Sequence, residues 1–303
     1  MASYDGNPQD YEGLIQSGYE FRLGDYLKRG WAIFQENIGG FIGYIIVFAI
    51  ISMVINGVAS LLGFGNEFLT FIMQQVAGIP VAGLGAGFLL VAHKIARNEE
   101  HEFGNFFDGI KDMVQLWLGS LVAGLVASIP IFIGMYLAIV SEVFEWIGMM
   151  LDPTALTENS TEIMARLTEM APKIGLYGGL GLLLTLVIAT LYSFTQPNIL
   201  FGRLKFWDAM EVSRKIVSQK VASFILLTFV LFISLIAVMA VFGGLTAITG
   251  SIGLGIVSGL VIVGFVLAFA GFATCVNYAV YEDIVLNNVS GGMDEKIDEI
   301  GSD

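Results

Sequence analysis

The sequence predicts an all-α integral membrane protein with six transmembrane helices arranged in hairpins. Three observations predict this fold class: the composition, six long apolar stretches and a one-sided distribution of basic residues. Of the 303 residues, 56% are hydrophobic and 14% are charged, and the mean hydropathy is +0.78. A soluble domain carries about 25% charged residues, so much of this surface faces something other than water.

Six apolar stretches are long enough to cross a bilayer, whose hydrocarbon core of about 30 Å needs about 20 helical residues. The predicted spans are Ile38–Leu62, Phe68–Ala92, Leu116–Val140, Ile174–Thr195, Val221–Leu245 and Ile252–Tyr281. Short links follow the first span (Gly63–Glu67) and the fifth span (Thr246–Ser251). Because such links force the joined helices to run antiparallel, the spans are expected to pair as hairpins.

The distribution of lysine and arginine predicts that both termini lie in the cytoplasm, where basic residues concentrate in membrane proteins. All but two of the 14 basic residues fall before span one, between spans two and three, between spans four and five, or after span six. The two exceptions, Arg166 and Lys173, lie between spans three and four. This asymmetry predicts an N-in, C-in topology.

Three short amphipathic segments on the predicted cytoplasmic side carry aromatic residues among charges. They are Phe21–Asn37, His101–Gln115 and Leu204–Gln219. Such segments are typical of helices that lie in the headgroup plane. We therefore expect three interfacial helices, each leading into a span.

A sequence echo favours internal repeats. A Phe-Phe-Asp triplet begins at Phe106, and a Phe-Trp-Asp triplet begins at Phe206, 100 positions later. The echo suggests three repeats, each an interfacial helix followed by a hairpin. These repeats would begin near Phe21, Phe103 and Leu204.

Outside the spans, the chain divides into a polar N-terminal segment (1–20), a membrane domain (21–283) and an acidic tail (284–303). The net charge of −13 opposes nucleic-acid binding. The single cysteine, Cys275, allows no intrachain disulfide. The first 20 residues lack the basic start and apolar core of a cleavable signal peptide, so the first span is expected to direct insertion.

Chemistry-bearing residues form no recognisable catalytic, cofactor-binding or metal-binding pattern. His93 and His101 lie near several glutamates in one predicted turn, but their spacing matches no metal motif. The neighbouring Lys94 and Arg97 also oppose a cation, and a solvated mixed-charge turn explains the cluster. We therefore predict that the protein is not an enzyme and uses no cofactor or metal.

The predicted spans carry no Asp, Glu, Lys or Arg near their centres. Coupled transporters normally place such groups there, so we predict no proton- or sodium-driven transport. Pro80 lies in the glycine-rich second span and Pro130 in the third, and proline can kink a helix at a ligand pathway. Close glycine-mediated packing explains the same pattern, and both interpretations stay open.

Seven residues of the predicted interfacial helices are candidates for lipid contact, because basic and aromatic side chains concentrate at headgroup level. They are Phe106, Phe107, Arg203, Lys205, Phe206, Trp207 and Arg214. The basic residues among them have a simpler interpretation as charges that set topology. The lipid bilayer is in either case an expected partner.

The predicted outer segment, Ser141–Pro172, is acidic and is expected to contain one short helix with an apolar stripe. The stripe consists of Ile163, Met164, Leu167 and Met170. Because an isolated protein gains little by exposing such a stripe, we expect it to cover the outer leaflet or a partner. That partner would be another membrane protein or a second copy of the chain.

Two segments carry a resemblance to a known family. One is Gly83–Leu121, where a phenylalanine-rich helix follows span two, and the other is Trp207–Leu227, where Trp207, Ala209 and Ser213 form a Trp-x-Ala-x-x-x-Ser pattern. In these segments the chain resembles uncharacterised six-helix bacterial inner-membrane proteins akin to the membrane domain of glycerophosphodiester phosphodiesterases. The resemblance implies a multi-pass protein of the bacterial inner membrane. It does not imply phosphodiesterase activity, because the soluble catalytic domain has no counterpart in this sequence.

These observations together predict a non-enzymatic membrane protein that acts as a scaffold, an assembly factor or an accessory subunit of a larger complex. The alternative is a channel, or a permease for lipids or small solutes, that works without ion coupling. A polar cavity across the membrane would distinguish the alternative from the first hypothesis.

Overall fold

The computed structural model describes residues 6–140, 168, 171–250 and 255–289, and these are helical with no strand among them. The long helices are α3 (Ile38–Leu62), α4 (Glu67–Ala96), α5 (Met113–Ile139), α9 (Val221–Gly250) and α10 (Gly255–Tyr281). The shorter ones are α1 (Glu12–Ser17), α2 (Leu23–Glu36), α6 (Gly179–Leu191), α7 (Thr195–Leu200) and α8 (Phe206–Ser218). Within these residues, six candidate spans are long and apolar enough to cross a membrane: Ile38–Leu62, Glu67–Ala96, Phe103–Ala138, Ala171–Leu200, Val221–Val241 and Val263–Val289. The predicted fold class, an all-α polytopic membrane protein, is confirmed.

Several helices are extended by tighter or wider turns. A 3₁₀ helix, Phe103–Asp112, runs directly into α5, and another, Pro8–Tyr11, runs into α1. A π-helical segment, Ile174–Gly178, directly precedes α6 within the fourth candidate span, and a second one, Glu282–Leu286, continues α10. We call α2, the helix Phe103–Asp112 and α8 interfacial helices 1, 2 and 3.

Polar residues at the helix starts explain several of these boundaries. The side chain of Asn37 accepts a hydrogen bond from the Gly40 amide at 3.0 Å, which begins α3. Asn66 does the same for the Leu69 amide and begins α4. The Glu102 amide donates to the side chain of Asn105 at 2.8 Å as part of a capping box that begins interfacial helix 2. Each cap satisfies amides that have no partner inside the first helical turn.

The chain forms two compact units. The smaller unit, Leu121–Tyr192, contains most of α5 and all of α6. Its helices approach closely at glycine, since a Cβ atom at Gly181 would lie 2.7 Å from the Pro130 carbonyl oxygen. Proline at this position leaves α5 uninterrupted.

The larger unit comprises Met1–Ser120 and Ser193–Asp303 and contains all three interfacial helices. Interfacial helix 1 packs against α10, interfacial helix 2 against α4, and interfacial helix 3 against α7. Interfacial helices 2 and 3 therefore each pack on the span that comes just before them in the chain. Interfacial helix 1, which has no span before it, packs on the last span instead. Three repeats in cyclic order would produce this pattern.

Buried side chains of the larger unit concentrate where the spans meet the interfacial helices. Phe41, Tyr44 and Phe106 are fully buried there. Farther along α3, Met53 and Leu61 are 75% and 77% exposed. Because these exposed side chains are apolar, they suit a hydrocarbon environment.

Candidate functional site

Three aromatic side chains meet near the ends of α4, α7 and α10. His93 lies in the last turns of α4, Phe201 follows α7, and Tyr278 lies in the last turn of α10. The His93 ring stacks on Phe201 with centroids 4.6 Å apart, and Tyr278 approaches both rings edge-on. His93 Nδ1 and the Tyr278 hydroxyl form a 2.8 Å hydrogen bond. We call His93, Phe201 and Tyr278 the aromatic hub.

The hub corrects the sequence interpretation of His93. The sequence suggested a solvated turn shared with His101, whereas His93 is a half-buried residue inside α4. His101 lies apart and approaches the Glu99 carbonyl oxygen. Among the described residues, no group of three or more His, Cys, Asp or Glu side chains is placed to hold a metal ion.

Small residues let each interfacial helix approach its span closely. A Cβ atom at Gly30 of interfacial helix 1 would lie 2.6 Å from Val276 Cα. Gly109 of interfacial helix 2 lies against the Gly83 carbonyl of α4, in a similar manner. In interfacial helix 3 the fully buried Ala209 accepts a hydrogen bond from the Asn198 side chain at 3.1 Å. Close backbone approach at small residues is typical of packed membrane helices.

A cluster of aromatic rings fixes interfacial helix 2 on the first hairpin. The ring of Phe106 stacks on Tyr44 with centroids 4.4 Å apart, and Phe88 meets Tyr44 edge-on. The Tyr44 hydroxyl donates to the Leu84 carbonyl oxygen at 2.8 Å. Since Phe106 has no exposed surface, it is a core residue, and the lipid contact expected for it from the sequence is wrong.

Ion pairs join interfacial helix 1 to the end of α10. Arg22 contacts Asp283 at 2.8 Å, and Arg29 contacts both carboxylate oxygens of Glu282 and the Ala96 carbonyl. The hydrogen bonds that the Arg29 guanidinium donates to the Glu282 carboxylate raise the pKa of that guanidinium. The carboxylates are more buried than the arginines, at 18% and 29% exposure against 46% and 54%. The arginines therefore neutralise carboxylates that water solvates poorly.

The other predicted lipid-contact residues differ in exposure. Trp207 is 64% exposed and Phe107 and Phe206 are half-buried, while Arg203, Lys205 and Arg214 have exposed side chains.

Two of these basic residues also contact carboxylates of the protein. Arg203 lies 3.5 Å from the buried Asp112 of interfacial helix 2, and the backbone of Arg203 has a positive φ of 51°. Arg214 bonds to Glu211 one turn earlier. Lipid contact at these exposed positions stays a prediction.

Hydroxyl groups in the spans bond mainly to their own helices. Ser60, Thr190, Thr228, Ser234 and Thr274 each donate to the carbonyl four residues earlier, at 2.7–3.0 Å. The Asn56 side-chain amide likewise donates to the Ser52 carbonyl oxygen of its own helix, α3. Gln196 does bond to a neighbouring helix, through the Ser120 hydroxyl.

Two further sequence predictions, the kinked pathway and the apolar stripe, stay predictions. Pro80 lies inside α4, and Pro130 lies inside α5, and each helix continues on both sides of its proline. The apolar stripe of the outer segment lies outside the described residues. Its members are Ile163, Met164, Leu167 and Met170.

Sequence reasoning missed the buried polar contacts of α7. The Ser213 hydroxyl accepts a hydrogen bond from the Phe194 amide at 3.0 Å, and both residues are fully buried. The Asn198 side chain is also fully buried, against interfacial helix 3. One feature of the sequence could have predicted these contacts: a run of polar residues lies beside Pro197, at the end of an otherwise apolar stretch.

The fold and these contacts define a polytopic α-helical membrane protein whose larger unit is closed by interfacial helices. No known protein family matches the chain, and neither does any curated protein or solved structure. The resemblance to membrane domains of glycerophosphodiester phosphodiesterases therefore stays a prediction.

Proposed function

We propose that this protein is a non-enzymatic scaffold, assembly factor or accessory subunit of a membrane complex, located in a bacterial inner membrane with both termini inside. The observation that carries the proposal is the close packing of the interfacial helices on the spans of the larger unit. The aromatic hub joins the ends of α4, α7 and α10, and ion pairs join the first interfacial helix to the last span. Such an arrangement suits a rigid support.

The hydrogen bonding of polar groups in the spans favours a scaffold over a transporter. A solute pathway needs polar groups that are free to face it, whereas five described span hydroxyls bond to carbonyls of their own helices. The hydroxyls of Ser52 and Thr185, which have no hydrogen-bond partner among the described residues, are buried inside the protein. A channel or permease for lipids or small solutes, without ion coupling, is the alternative that the experiment below must separate from the scaffold.

Purification of the tagged protein from its native membranes in a mild detergent tests the proposal. We expect a defined partner to copurify in constant ratio. Serine substitutions at the apolar stripe should release that partner without unfolding the chain: Ile163→Ser, Met164→Ser, Leu167→Ser and Met170→Ser. The matched control is Leu61→Ser with Phe64→Ser, at exposed apolar residues beside the first hairpin turn, which should retain the partner.

A second arm uses the protein reconstituted alone in liposomes. The scaffold hypothesis predicts no protein-dependent flux of small solutes or lipids between the two sides. A protein that purifies without partners and supports such flux would contradict the scaffold and favour the permease.

A further inference from the structure

An apolar crevice of about 230 Å³ lies between α3, α4 and α10. Its lining includes Ile45 and Ala49 of α3, Phe88 of α4, and Leu267, Ala270 and Thr274 of α10. The one polar side chain in this lining is Thr274, and its hydroxyl donates to the Ala270 carbonyl at 3.0 Å. The crevice therefore offers no free hydrogen-bonding group to a polar ligand.

The crevice is closed toward the interfacial helices. Phe34 and Ile45 pack on Gly271 there, where a Cβ atom would lie 3.1 Å from Phe34 Cε2 and 3.4 Å from Ile45 Cδ1. On the lateral side, Ala49 and Ala270 are exposed between α3 and α10. A ligand would therefore enter sideways, between the two helices.

The position of the crevice along α3 and α10 places it at the level of the hydrocarbon core of the bilayer. Ile45 and Thr274 each lie about 10 Å from the interfacial ends of their helices, at 1.5 Å per residue. On the same scale Leu267 lies about 21 Å from the end of α10. Since the hydrocarbon core is about 30 Å thick, the lateral opening faces lipid tails in a protein that spans the bilayer.

We propose that this crevice binds a single hydrocarbon chain of a bilayer lipid. A second transmembrane helix does not fit, because a helix with its side chains is about 10–12 Å wide and the crevice holds about 230 Å³. An empty crevice would leave its walls without dispersion contacts, and the surrounding bilayer supplies chains of matching shape and polarity. This site is independent of the scaffold function.

A phospholipid with a photoactivatable diazirine in the middle of one chain tests the proposal. The full-length protein is reconstituted with this lipid in bilayers, irradiated and mapped by peptide mass spectrometry. We expect Ala49 and Ala270 to carry several-fold more label than Ile50, an apolar residue that is 57% exposed at the same depth of α3 but does not line the crevice. Equal labelling at Ile50 and Ala49 would show surface lipid only and would overturn the proposal.

Filling the crevice gives a second readout. The pair Ala49→Phe and Ala270→Phe should reduce labelling of the crevice to the level of Ile50, while Ile50→Phe should leave it unchanged. If the double variant unfolds, the single change Ala270→Leu gives the same comparison. Labelling that persists in a folded variant would contradict the proposal.

A photoreactive amino acid at Ala270, in native membranes, separates lipid from protein as the occupant. The proposal predicts an adduct with the mass of a lipid. A protein adduct at this position would mean that a partner helix covers the crevice, and would overturn the proposal.

Discussion

His93 Nδ1 lies 2.8 Å from the hydroxyl oxygen of Tyr278, a residue 185 positions away in the sequence. This bond links the last turns of α4 to the last turn of α10. Phe201, which directly follows α7, stacks on the same imidazole. Three elements of the larger unit thus meet at one histidine.

Removing this bond should weaken the larger unit. The change Tyr278→Phe keeps the ring contacts and deletes the hydroxyl, so we expect a loss of about 1 kcal/mol, the typical net value of one hydrogen bond. Unfolding in detergent micelles measures it. Tyr136→Phe, at a tyrosine that is 63% exposed in the smaller unit, should have no measurable effect. Equal stability of both variants would contradict a structural role for the hub.

The close approach of interfacial helix 1 to α10 gives a matched pair of glycine substitutions. Gly30→Ala should cost about 1–3 kcal/mol through overpacking, because its new methyl group would meet Val276. Gly24→Ala lies in the same helix with nothing within 4 Å, and alanine is the better helix former by about 1 kcal/mol. We expect the two substitutions to change the unfolding midpoint in opposite directions. If the Gly30→Ala variant were as stable as the unchanged protein, interfacial helix 1 and α10 would lie farther apart than this structure has them.

High pH should destabilise the interfacial region through two buried tyrosines. Burial raises the pKa of Tyr11 and of Tyr26 from 10.0 to about 12. The unfolded chain therefore loses these protons first. The stability that the neutral hydroxyls contribute is complete below pH 10 and is lost as the pH rises toward 12. We expect unfolding midpoints to fall across that window, and to fall less steeply in the double variant Tyr11→Phe, Tyr26→Phe. Identical slopes would mean that neither hydroxyl titrates differently on unfolding.

The predicted orientation is tested by fusing a topology reporter after residue 150 or at the C-terminus. Because basic residues concentrate on one side, we expect an outside signal at the first position and an inside signal at the second. An inside signal at residue 150, or an outside C-terminus, would contradict the six-span topology.

The local sequence was sufficient to predict the spans, but it was not sufficient to predict the aromatic hub. The first span, Ile38–Leu62, has the predicted bounds because an apolar run lies between the cap Asn37 and a glycine turn. His93 was misplaced because its neighbours in the chain are polar, while its partners Phe201 and Tyr278 are distant in sequence. Distant contacts of this kind leave no local pattern.

Phe106 shows the same limit for the interfacial helices. Its amphipathic surroundings correctly predicted a helix at the spans' ends, but periodicity alone does not say whether an apolar face meets lipid or protein. The glycines of α4 decide the question, since a Cβ atom at Gly87 would collide with the Phe106 backbone. That pairing becomes visible in three dimensions.

The central claim of this account is that interfacial helix 1 closes the larger unit by packing on the last span. Trp31 and Phe272 are in contact across this junction, with ring centroids 5.7 Å apart. Cysteines at these two positions, treated with a short bifunctional thiol reagent in native membranes, test it most directly. We predict efficient crosslinking within one chain. We predict none for the control pair of cysteines at Trp31 and Phe64, which lie beyond opposite ends of the first span. An uncrosslinked Trp31→Cys, Phe272→Cys protein, or one crosslinked only between chains, would contradict the closure.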